Sequence, residues 1–257
     1  MRTTKYLIKD NKCIEENYYL LTIKDFPSSL PGQFVNILCQ KDDSVMLRRP
    51  FCIHNVQAQY TSILYKVVGK GTKLLSNRKP GEYLDIIGPL GNGWILEDKD
   101  IQDYSCHILV GGGVGVAPLL PLAYKLSEKS CNISVIIGAK TKADLLCEDN
   151  FSEIRSKLHI VTDDGSYGEK GLVTDILKKI VNGSDNKKYY IYSCGSKLML
   201  KAVALWAISK NIPCQVSMEE MMGCGLGGCL CCVVETTTGY KKVCNDGPVF
   251  MAKDIIW

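Results

Sequence analysis

Short runs of alternating apolar and polar residues fill the first part of the chain. The runs are rich in β-branched and aromatic residues, which favour β-strands. They cover residues 5–9, 18–24, 34–38, 51–56, 62–68 and 83–87. Proline and glycine separate the runs, as in Pro31-Gly32 and Gly88-Pro89, and indicate turns. Six short antiparallel strands predict a small β-barrel or sandwich, to which residues 71–77 add one helix.

Beyond residues 98–105 the pattern changes to apolar runs that alternate with helical stretches. Residues 106–110 form a continuous apolar run, as in a parallel strand that is buried on both faces. Further strands are predicted at 134–138, 159–162, 189–193 and 214–217. Helices are predicted at 171–181, at 197–210 and in the stretch that ends at Leu126, and residues 142–150 are predicted as a loop or short helix. This alternation predicts a doubly wound parallel sheet, which binds ligands at the carboxyl ends of its strands.

A glycine turn follows the first strand of this sheet and contains Gly111, Gly113 and Gly115. A strand, a glycine turn and a helix together make a site for the phosphate of a dinucleotide. Cys194 and Gly195 follow another strand at the same edge, so they are predicted to contact the same nicotinamide cofactor. A reader of the NADP 2′-phosphate would need a cation after the second strand. Lysines 140 and 142 stand there without an arginine, which favours NAD and leaves NADP open.

The densest motif is a glycine-rich cysteine loop near the C-terminus. Cys224, Cys229, Cys232 and Cys244 are spaced C-x4-C-x2-C-x11-C. This spacing matches the plant-type ligand set of a [2Fe–2S] cluster. The glycines of the loop permit the tight backbone that three converging thiolates require. A β-rich run at residues 233–238 and a turn at Gly239-Tyr240 are predicted to return Cys244 to the loop.

Other interpretations of the cysteines remain open at this point. Zinc sites pair one C-x2-C with a second C-x2-C or with two histidines, and neither partner is present here. Disulfides are a further alternative. Cys231 is a fifth cysteine in the loop and could take the place of Cys232, with one intervening residue instead of two. We predict Cys232 as the ligand.

Two motifs of the strand-rich part suit a flavin nucleotide. Arg49 begins a strand and is followed by Pro50, Phe51 and Cys52, an arrangement that can hold a pyrophosphate and face a flat ring. Residues 68–75 form a glycine turn that leads into a short helix, whose first N–H groups suit a phosphate. Each motif is short, so a plain strand edge or turn is the alternative to each.

The composition excludes some classes of protein but does not indicate a particular function. The 257 residues carry a net charge of +4 with scattered lysine and arginine, so no nucleic-acid partner is indicated. The chain shows neither a signal-peptide pattern nor an apolar run long enough to span a membrane. Thirteen cysteines is an odd number, and the chain is too long for a small disulfide-stapled protein. Together these facts favour a reducing, cytoplasmic location and no membrane partner. The three histidines are scattered, and we predict no catalytic residue. Three domains are predicted, at residues 1–98, 99–217 and 218–257.

Taken together, these motifs resemble the electron-transfer subunits of NAD-dependent dihydroorotate dehydrogenases, which are ferredoxin reductase-like flavoproteins. The resemblance rests on residues 47–50, 68–72, 88–93, 111–118, 219–232 and 243–250. It implies an FAD-binding antiparallel β-barrel, an NAD-binding α/β domain and a small C-terminal [2Fe–2S] module. The FAD contacts that it implies are Arg49, Pro50, Phe51, Cys52, Leu64, Tyr65, Lys66, Gly71 and Thr72. Cys52 is a departure, because the family usually has Ser or Thr there and a thiol is a weaker hydrogen-bond donor.

The resemblance also implies a role and partners. An FMN-containing catalytic subunit would oxidise dihydroorotate, and electrons would pass through the cluster and FAD to NAD+ in pyrimidine (UMP) biosynthesis. The implied assembly is a heterotetramer with two copies of each subunit. The nearest alternative is a flavin and iron–sulfur subunit of an NAD(P)H:ferredoxin oxidoreductase or a sulfide dehydrogenase complex. In those families one cluster ligand can be Asp, whereas all four positions here are Cys. A redox sensor or a zinc-stabilised module would not need the flavin and nicotinamide motifs.

Overall fold

A computed structural model describes residues 4–39, 45–96, 103–183 and 187–257. Two seven-stranded sheets and one two-stranded sheet form the scaffold in these residues. The predicted boundary between residues 98 and 99 lies outside the described residues, and the three-domain division stays a prediction. No helix in the described ranges is long and apolar enough to cross a membrane.

The first sheet is antiparallel and curls into a barrel. Its strands are β1 (Thr4–Glu15), β2 (Tyr18–Lys24), β3 (Phe34–Leu38), β4 (Arg49–Cys52), β5 (Asn55–Gln57), β6 (Tyr60–Lys66) and β7 (Tyr83–Leu90). The strand order is β4-β3-β7-β1-β2-β6-β5. Strands β4 and β5 are the two edges, yet only Ile53 and His54 separate them in the chain, so the edges must lie close together. The one strand predicted at 51–56 is therefore two strands, because the chain changes pairing partner from β3 to β6.

The second sheet is the predicted parallel one. Its strands are β8 (Cys106–Gly112), β9 (Ile133–Ala139), β10 (Ser156–Thr162), β11 (Glu169–Lys170), β12 (Tyr189–Cys194) and β13 (Cys214–Ser217), with β16 (Val249–Met251) at the edge. The order is β11-β10-β9-β8-β12-β13-β16, and only β16 runs antiparallel. After β8, successive strands are added on one side of it as far as β11, and from β12 onward they are added on its other side. Such folds bind nucleotides at this point, between β8 and β12. Buried clusters lie on both faces of this sheet.

Helices cover the sheets and follow the predicted positions. They are α1 (Lys70–Ser76), α2 (Leu119–Glu128), α3 (Glu148–Ser152), α4 (Val173–Asn182) and α5 (Lys197–Ser209). Helix α2 follows the glycine turn, which forms a 3₁₀ helix at Gly113–Val116. A hairpin of β14 (Val233–Thr236) and β15 (Gly239–Lys242) follows the cysteine loop. Its turn lies at residues 237–238, so the predicted turn residues Gly239 and Tyr240 already belong to β15.

Polar contacts join the barrel to the parallel-sheet part. His54 Nδ1 donates to the Ala117 carbonyl oxygen at 3.1 Å. On the other side, Lys66 Nζ lies 3.0 Å from Asp144 Oδ1, and the Tyr18 hydroxyl donates to the same oxygen at 2.7 Å. Lys66 also donates to the Tyr18 hydroxyl at 2.7 Å, so the three side chains form a closed cluster. These contacts hold the barrel and the parallel-sheet part together on either side of the crevice between them.

Candidate functional site

A cavity of about 570 Å³ lies in this crevice. All of the predicted flavin residues except Gly71 line it, namely Arg49, Pro50, Phe51, Cys52, Leu64, Tyr65, Lys66 and Thr72. Strands β4 and β6 supply most of them, because these strands pack near each other where the barrel closes. The structure thus brings the predicted set together. Their contact with FAD is taken up as a proposal below.

Arg49 and the start of α1 form the polar end of the cavity. Arg49 Nη1 donates to the Leu47 carbonyl oxygen at 2.7 Å, which holds the guanidinium close to its own strand. Gly71 lies directly beneath it, and a Cβ at Gly71 would lie 3.1 Å from Arg49 Nε. Thr72 Oγ1 accepts hydrogen bonds from the N–H groups of Val68 and Gly69. The backbone of Gly71 thus packs against the Arg49 side chain, and the Thr72 hydroxyl stabilises the turn at residues 68–69.

The apolar walls suit a flat aromatic ring. Phe51 and Tyr65 meet edge to face at 5.5 Å between ring centroids, and the Tyr65 hydroxyl donates to Asn11 Oδ1 at 3.1 Å. Cys52 lies on the same strand as Phe51 and faces the cavity. Burial, with the charge of Glu219 as a second cause, raises the pKa of the Cys52 thiol to about 12. The thiol is therefore protonated at neutral pH.

Sequence reasoning missed the part of the cavity that comes from outside the barrel. These lining residues are Val114, Ala117, Pro118, Met218, Glu219, Glu220, Met221, Met222 and Pro248. Phe34 of β3 is a further barrel residue that lines the cavity. Glu219 is the chemically notable addition, because desolvation raises the pKa of its carboxyl above the ordinary value. It directly follows Met218, which comes straight after β13. Two sequence signals pointed to it, its position near the carboxyl end of a parallel strand and its place in the 219–232 segment that carries the resemblance, but neither indicated a cavity wall.

The predicted nicotinamide residues lie together at one edge of the parallel sheet. Cys194 at the end of β12 pairs with Gly111 at the end of β8. A Cβ on Gly115 would lie 2.6 Å from the Cys194 carbonyl oxygen and 2.6 Å from Gly195 Cα, so the two turns touch through bare backbone. Gly113 has open space above it and a φ of +53°. Cys194 itself is fully buried, so neither its thiol nor its backbone is open to solvent at this edge.

The four predicted cluster cysteines form two pairs. Cys224 and Cys229 exchange N–H···S contacts at 3.4 Å in both directions. The Cys244 N–H donates to Cys232 Sγ at 3.4 Å, and both of these residues are buried. Cys231 is exposed, and no contact with Cys244 is found for it in the described ranges. The geometry therefore favours Cys232 over Cys231. All thirteen cysteines are free thiols, so no disulfide is formed.

Backbone N–H groups of the loop point at the sulfurs. Leu226 N–H donates to Cys224 Sγ at 3.3 Å, and Gly227 N–H donates to Cys244 Sγ at 3.1 Å. Donation from Leu226 is the largest cause that lowers the pKa of Cys224 to about 6. Burial raises the pKa of Cys244 to about 12. Cys224 therefore favours the thiolate, and Cys244 would lose its proton on binding a metal.

This donor set fits a two-iron cluster. In the part of the chain that the structure describes, no three His, Cys, Asp or Glu side chains converge closely enough to hold a single metal ion. A [2Fe–2S] cluster instead takes two thiolates on each of two irons. The pairs Cys224–Cys229 and Cys232–Cys244 would provide that arrangement, and the N–H donors at the sulfurs would tune the reduction potential of a bound cluster.

Comparisons with known proteins agree with this geometry. Residues 219–256 match the family model "Iron-sulfur cluster binding domain of dihydroorotate dehydrogenase B", and residues 109–204 match "Oxidoreductase NAD-binding domain". A protein of Geobacillus kaustophilus, "Dihydroorotate dehydrogenase B (NAD(+)), electron transfer subunit", is 39% identical over 97% of this chain and 96% of its own length. A protein with the same name from Desulforamulus reducens is 37% identical over 89% of this chain and 87% of its own length.

Two solved structures extend the comparison. A chain from an NADH-dependent reduced ferredoxin–NADP oxidoreductase, studied for flavin-based electron bifurcation, is 34% identical. Its TM-score is 0.86, and the match covers 100% of this chain and 91% of that one. A ferredoxin reductase of carbazole 1,9a-dioxygenase has a TM-score of 0.69 over 82% of this chain and 66% of its own, at 18% identity, which shows the fold alone.

The fold and site define a ferredoxin reductase-like oxidoreductase subunit with a C-terminal iron–sulfur domain, whose cofactors are FAD, NAD and a [2Fe–2S] cluster. The relatives, which are 37–39% identical over most of both chains, show to which family of such proteins this chain belongs. The chain belongs to the family of electron-transfer subunits of dihydroorotate dehydrogenase B (NAD(+)).

Proposed function

We propose that this chain carries electrons between NAD+ and a partner subunit that oxidises dihydroorotate to orotate, in the synthesis of pyrimidines. The observation that carries the proposal is the adjacency of two sites. Residues 218–222 form one wall of the flavin cavity, and Cys224 of the cysteine loop follows two residues later. A flavin in the cavity would thus lie beside a cluster in the loop.

When bound, FAD exchanges a hydride with the nicotinamide and single electrons with the [2Fe–2S] cluster. The chain's own residues would bind these cofactors and orient them toward one another. Arg49 and Lys66 bring positive charge to a cavity that would hold the FAD diphosphate. Phe51 and Tyr65 provide aromatic walls beside Cys52. The turns at Gly115 and Gly195 pack directly against each other, and the open space above Gly113 beside them is where a nicotinamide would approach the flavin. Cys224, Cys229, Cys232 and Cys244 are the proposed cluster ligands.

The choice of NAD over NADP is part of the proposal. Lys142 could read a 2′-phosphate, but its ammonium lies over the Tyr167 ring at 5.2 Å from the centroid. The Tyr167 hydroxyl donates to Glu148 Oε1 at 2.8 Å, so a carboxylate lies at the hydroxyl end of the ring that the Lys142 ammonium faces. Asp163 and Asp164 follow β10 at the same edge. These acids disfavour a second phosphate by charge repulsion.

We propose that the partner is an FMN-containing catalytic subunit and that two copies of each chain assemble. Large apolar side chains are exposed around the cysteine loop, with Met221 83%, Leu230 63% and Leu226 46% accessible. Exposed apolar groups of this kind mark protein interfaces. Such an interface would bring the partner's flavin close to the cluster. Thirteen free thiols suit the reducing cytoplasm, where we place the assembly.

The test is reconstitution with the FMN subunit. We expect the purified chain to contain FAD and about two irons, and the complex to oxidise dihydroorotate with NAD+ as the electron acceptor. The FMN subunit alone is the control, and it should reduce artificial acceptors but not NAD+. A chain that binds zinc without iron, or a complex that lacks NAD+-linked activity, would contradict the proposal.

One alternative has a specific observation in its favour. The 34% identity and TM-score of 0.86 to the ferredoxin–NADP oxidoreductase chain indicate that a ferredoxin-linked complex could use the same scaffold. The same preparation distinguishes the two. NADH-dependent reduction of ferredoxin without dihydroorotate oxidation would favour this alternative.

A further inference from the structure

A single buried amide connects the flavin-binding barrel to the cysteine loop. Asn36 lies on β3, is fully buried, and pairs with Pro50 of the cavity wall across the sheet. Its Nδ2 donates to the carbonyl oxygen of Cys224 at 3.3 Å. Phe34, two residues earlier, lines the cavity. One path from the cavity wall to a predicted cluster ligand thus runs through this side chain, in addition to the covalent path from Met222 to Cys224.

The loop is shaped to admit this amide. Gly225, the residue after Cys224, has a φ of +70°, which side chains rarely adopt. A Cβ at Gly225 would lie 2.4 Å from Asn36 Nδ2, so no other residue permits this approach without movement. The contact therefore depends on glycine in the loop and on asparagine in the barrel.

Packing alone does not explain an amide at this position. Asn36 Oδ1 is buried and has no hydrogen-bond partner among the described residues. An unpaired buried acceptor lowers stability, and an apolar side chain of similar shape would remove that cost. The one bond that the amide does make goes to Cys224. Its contribution is therefore to the loop rather than to the stability of the barrel.

We propose that Asn36 is a positioning residue that holds Cys224 toward the flavin cavity and so sets the rate of electron transfer between FAD and the cluster. The inference rests on the proposed function, because it assigns a role within that electron path. The transfer moves one electron between the two cofactors, and it makes or breaks no bond at Asn36. Partners that orient a metal ligand from behind have large effects on metal sites.

A second asparagine provides a matched control. Asn92 Nδ2 donates to the carbonyl oxygens of Asn245 and Asp246 at 3.2 and 3.1 Å, next to Cys244. It therefore makes the same kind of bond from the barrel side to the same module. Asn92 is exposed and does not line the flavin cavity. Its replacement tests for a general loosening of the module.

The experiment compares wild type, Asn36→Leu, Asn36→Ala and Asn92→Leu as purified, cofactor-loaded protein. Stopped-flow spectroscopy with NADH separates flavin reduction from cluster reduction. For both Asn36 variants we expect unchanged flavin reduction and cluster reduction slowed about ten-fold or more. We also expect an altered electron paramagnetic resonance spectrum of the dithionite-reduced cluster and faster amide hydrogen exchange at residues 224–229. Asn36→Leu should keep its thermal stability, and Asn92→Leu should match wild type throughout.

Cluster reduction at the wild-type rate in either folded Asn36 variant would overturn the inference. Equal slowing in Asn92→Leu would overturn it too, because the effect would then come from loosening of the whole module. Asn36→Ala is too small to clash with Gly225, so it provides the answer if Asn36→Leu does not fold. Failure of wild type to reduce its own cluster with NADH would instead contradict the proposed function.

Discussion

Among single residues, Cys52 distinguishes this chain most clearly from the pattern that its sequence resembles. It lines the cavity next to Phe51, at a position where the resemblance leads us to expect Ser or Thr. Burial keeps it as a neutral thiol, with a pKa of about 12. A thiol donates a weaker hydrogen bond than a hydroxyl does. The cavity therefore gives a flavin less polar contact here than a serine would give.

We predict that Cys52→Ser tightens FAD binding. One better hydrogen bond contributes about 0.5–1.5 kcal/mol, which corresponds to a few-fold to about ten-fold lower Kd. Fluorescence titration of the flavin-free protein with FAD measures the change. Cys131→Ser, at a partly buried thiol outside the cavity, is the control and should bind FAD like wild type. Equal or weaker FAD binding by Cys52→Ser would show that the side chain does not face the flavin.

At the scale of elements, local pattern predicted most strands, because their apolar alternation depends only on which face is buried. The bounds of β2, β3 and β13 agree with the sequence prediction. The division of residues 51–56 into β4 and β5 could not be predicted, because it follows from an exchange of pairing partners across the barrel. Strand β16 was also missed, since its three residues depend on the distant edge of β13 for their hydrogen bonds.

The cluster of Lys66, Tyr18 and Asp144 holds two of these elements together across the crevice. Hydrogen bonds from Tyr18 and Lys66 lower the pKa of the Asp144 carboxyl below its ordinary 3.8. A lowered folded-state pKa means that the ionised carboxylate stabilises the folded protein. This contribution is complete above the ordinary pKa and is lost as the pH falls through the lower, folded-state pKa.

We predict that Asp144→Asn lowers the free energy of unfolding by about 1 kcal/mol at neutral pH, since the ion pair is partly exposed. The difference from wild type should shrink as the pH falls below 3.8, because the wild-type carboxyl then becomes protonated. Urea unfolding at several pH values measures this. Asp103→Asn, at an exposed position, is the control. A difference that persists unchanged in acid would mean that the carboxylate charge is not involved.

At the scale of the whole molecule, the flavin cavity forms only where separate parts of the chain pack together, and no single motif builds it. Barrel residues line about half of it. Arg49–Cys52 carry a local signal, whereas Leu64, Tyr65 and Lys66 were expected from the resemblance. Met218, Glu219 and Pro248 come from the C-terminal part, and only the packing of that part on the sheet brings them there. The cysteine spacing, by contrast, predicted the four proposed ligands from one short segment and its hairpin, and the two pairs they form are visible only in the structure.

This arrangement raises the question of whether the cluster module can lose its metal without loss of the flavin. Cys244 does not line the cavity, whereas Pro248, four residues later, does. Strand β16 directly follows Pro248 and is anchored to β13 by three paired residues, independently of the cysteines. The Met218 N–H also donates to the Pro248 carbonyl oxygen at 2.8 Å. The cavity wall should therefore remain in place when the loop loses its metal.

We accordingly predict that Cys244→Ser loses the cluster but keeps FAD and its reduction by NADH. Iron analysis should fall from about two irons per chain to near zero, while the flavin absorbance and its bleaching by NADH persist. Cys231→Ser is the matched control, because it alters the exposed fifth thiol of the same loop and should retain both cofactors. Loss of flavin from Cys244→Ser would mean that the module and the cavity fold as one unit. Loss of iron from Cys231→Ser would instead reassign the third ligand, since the cluster would then depend on the thiol that faces solvent.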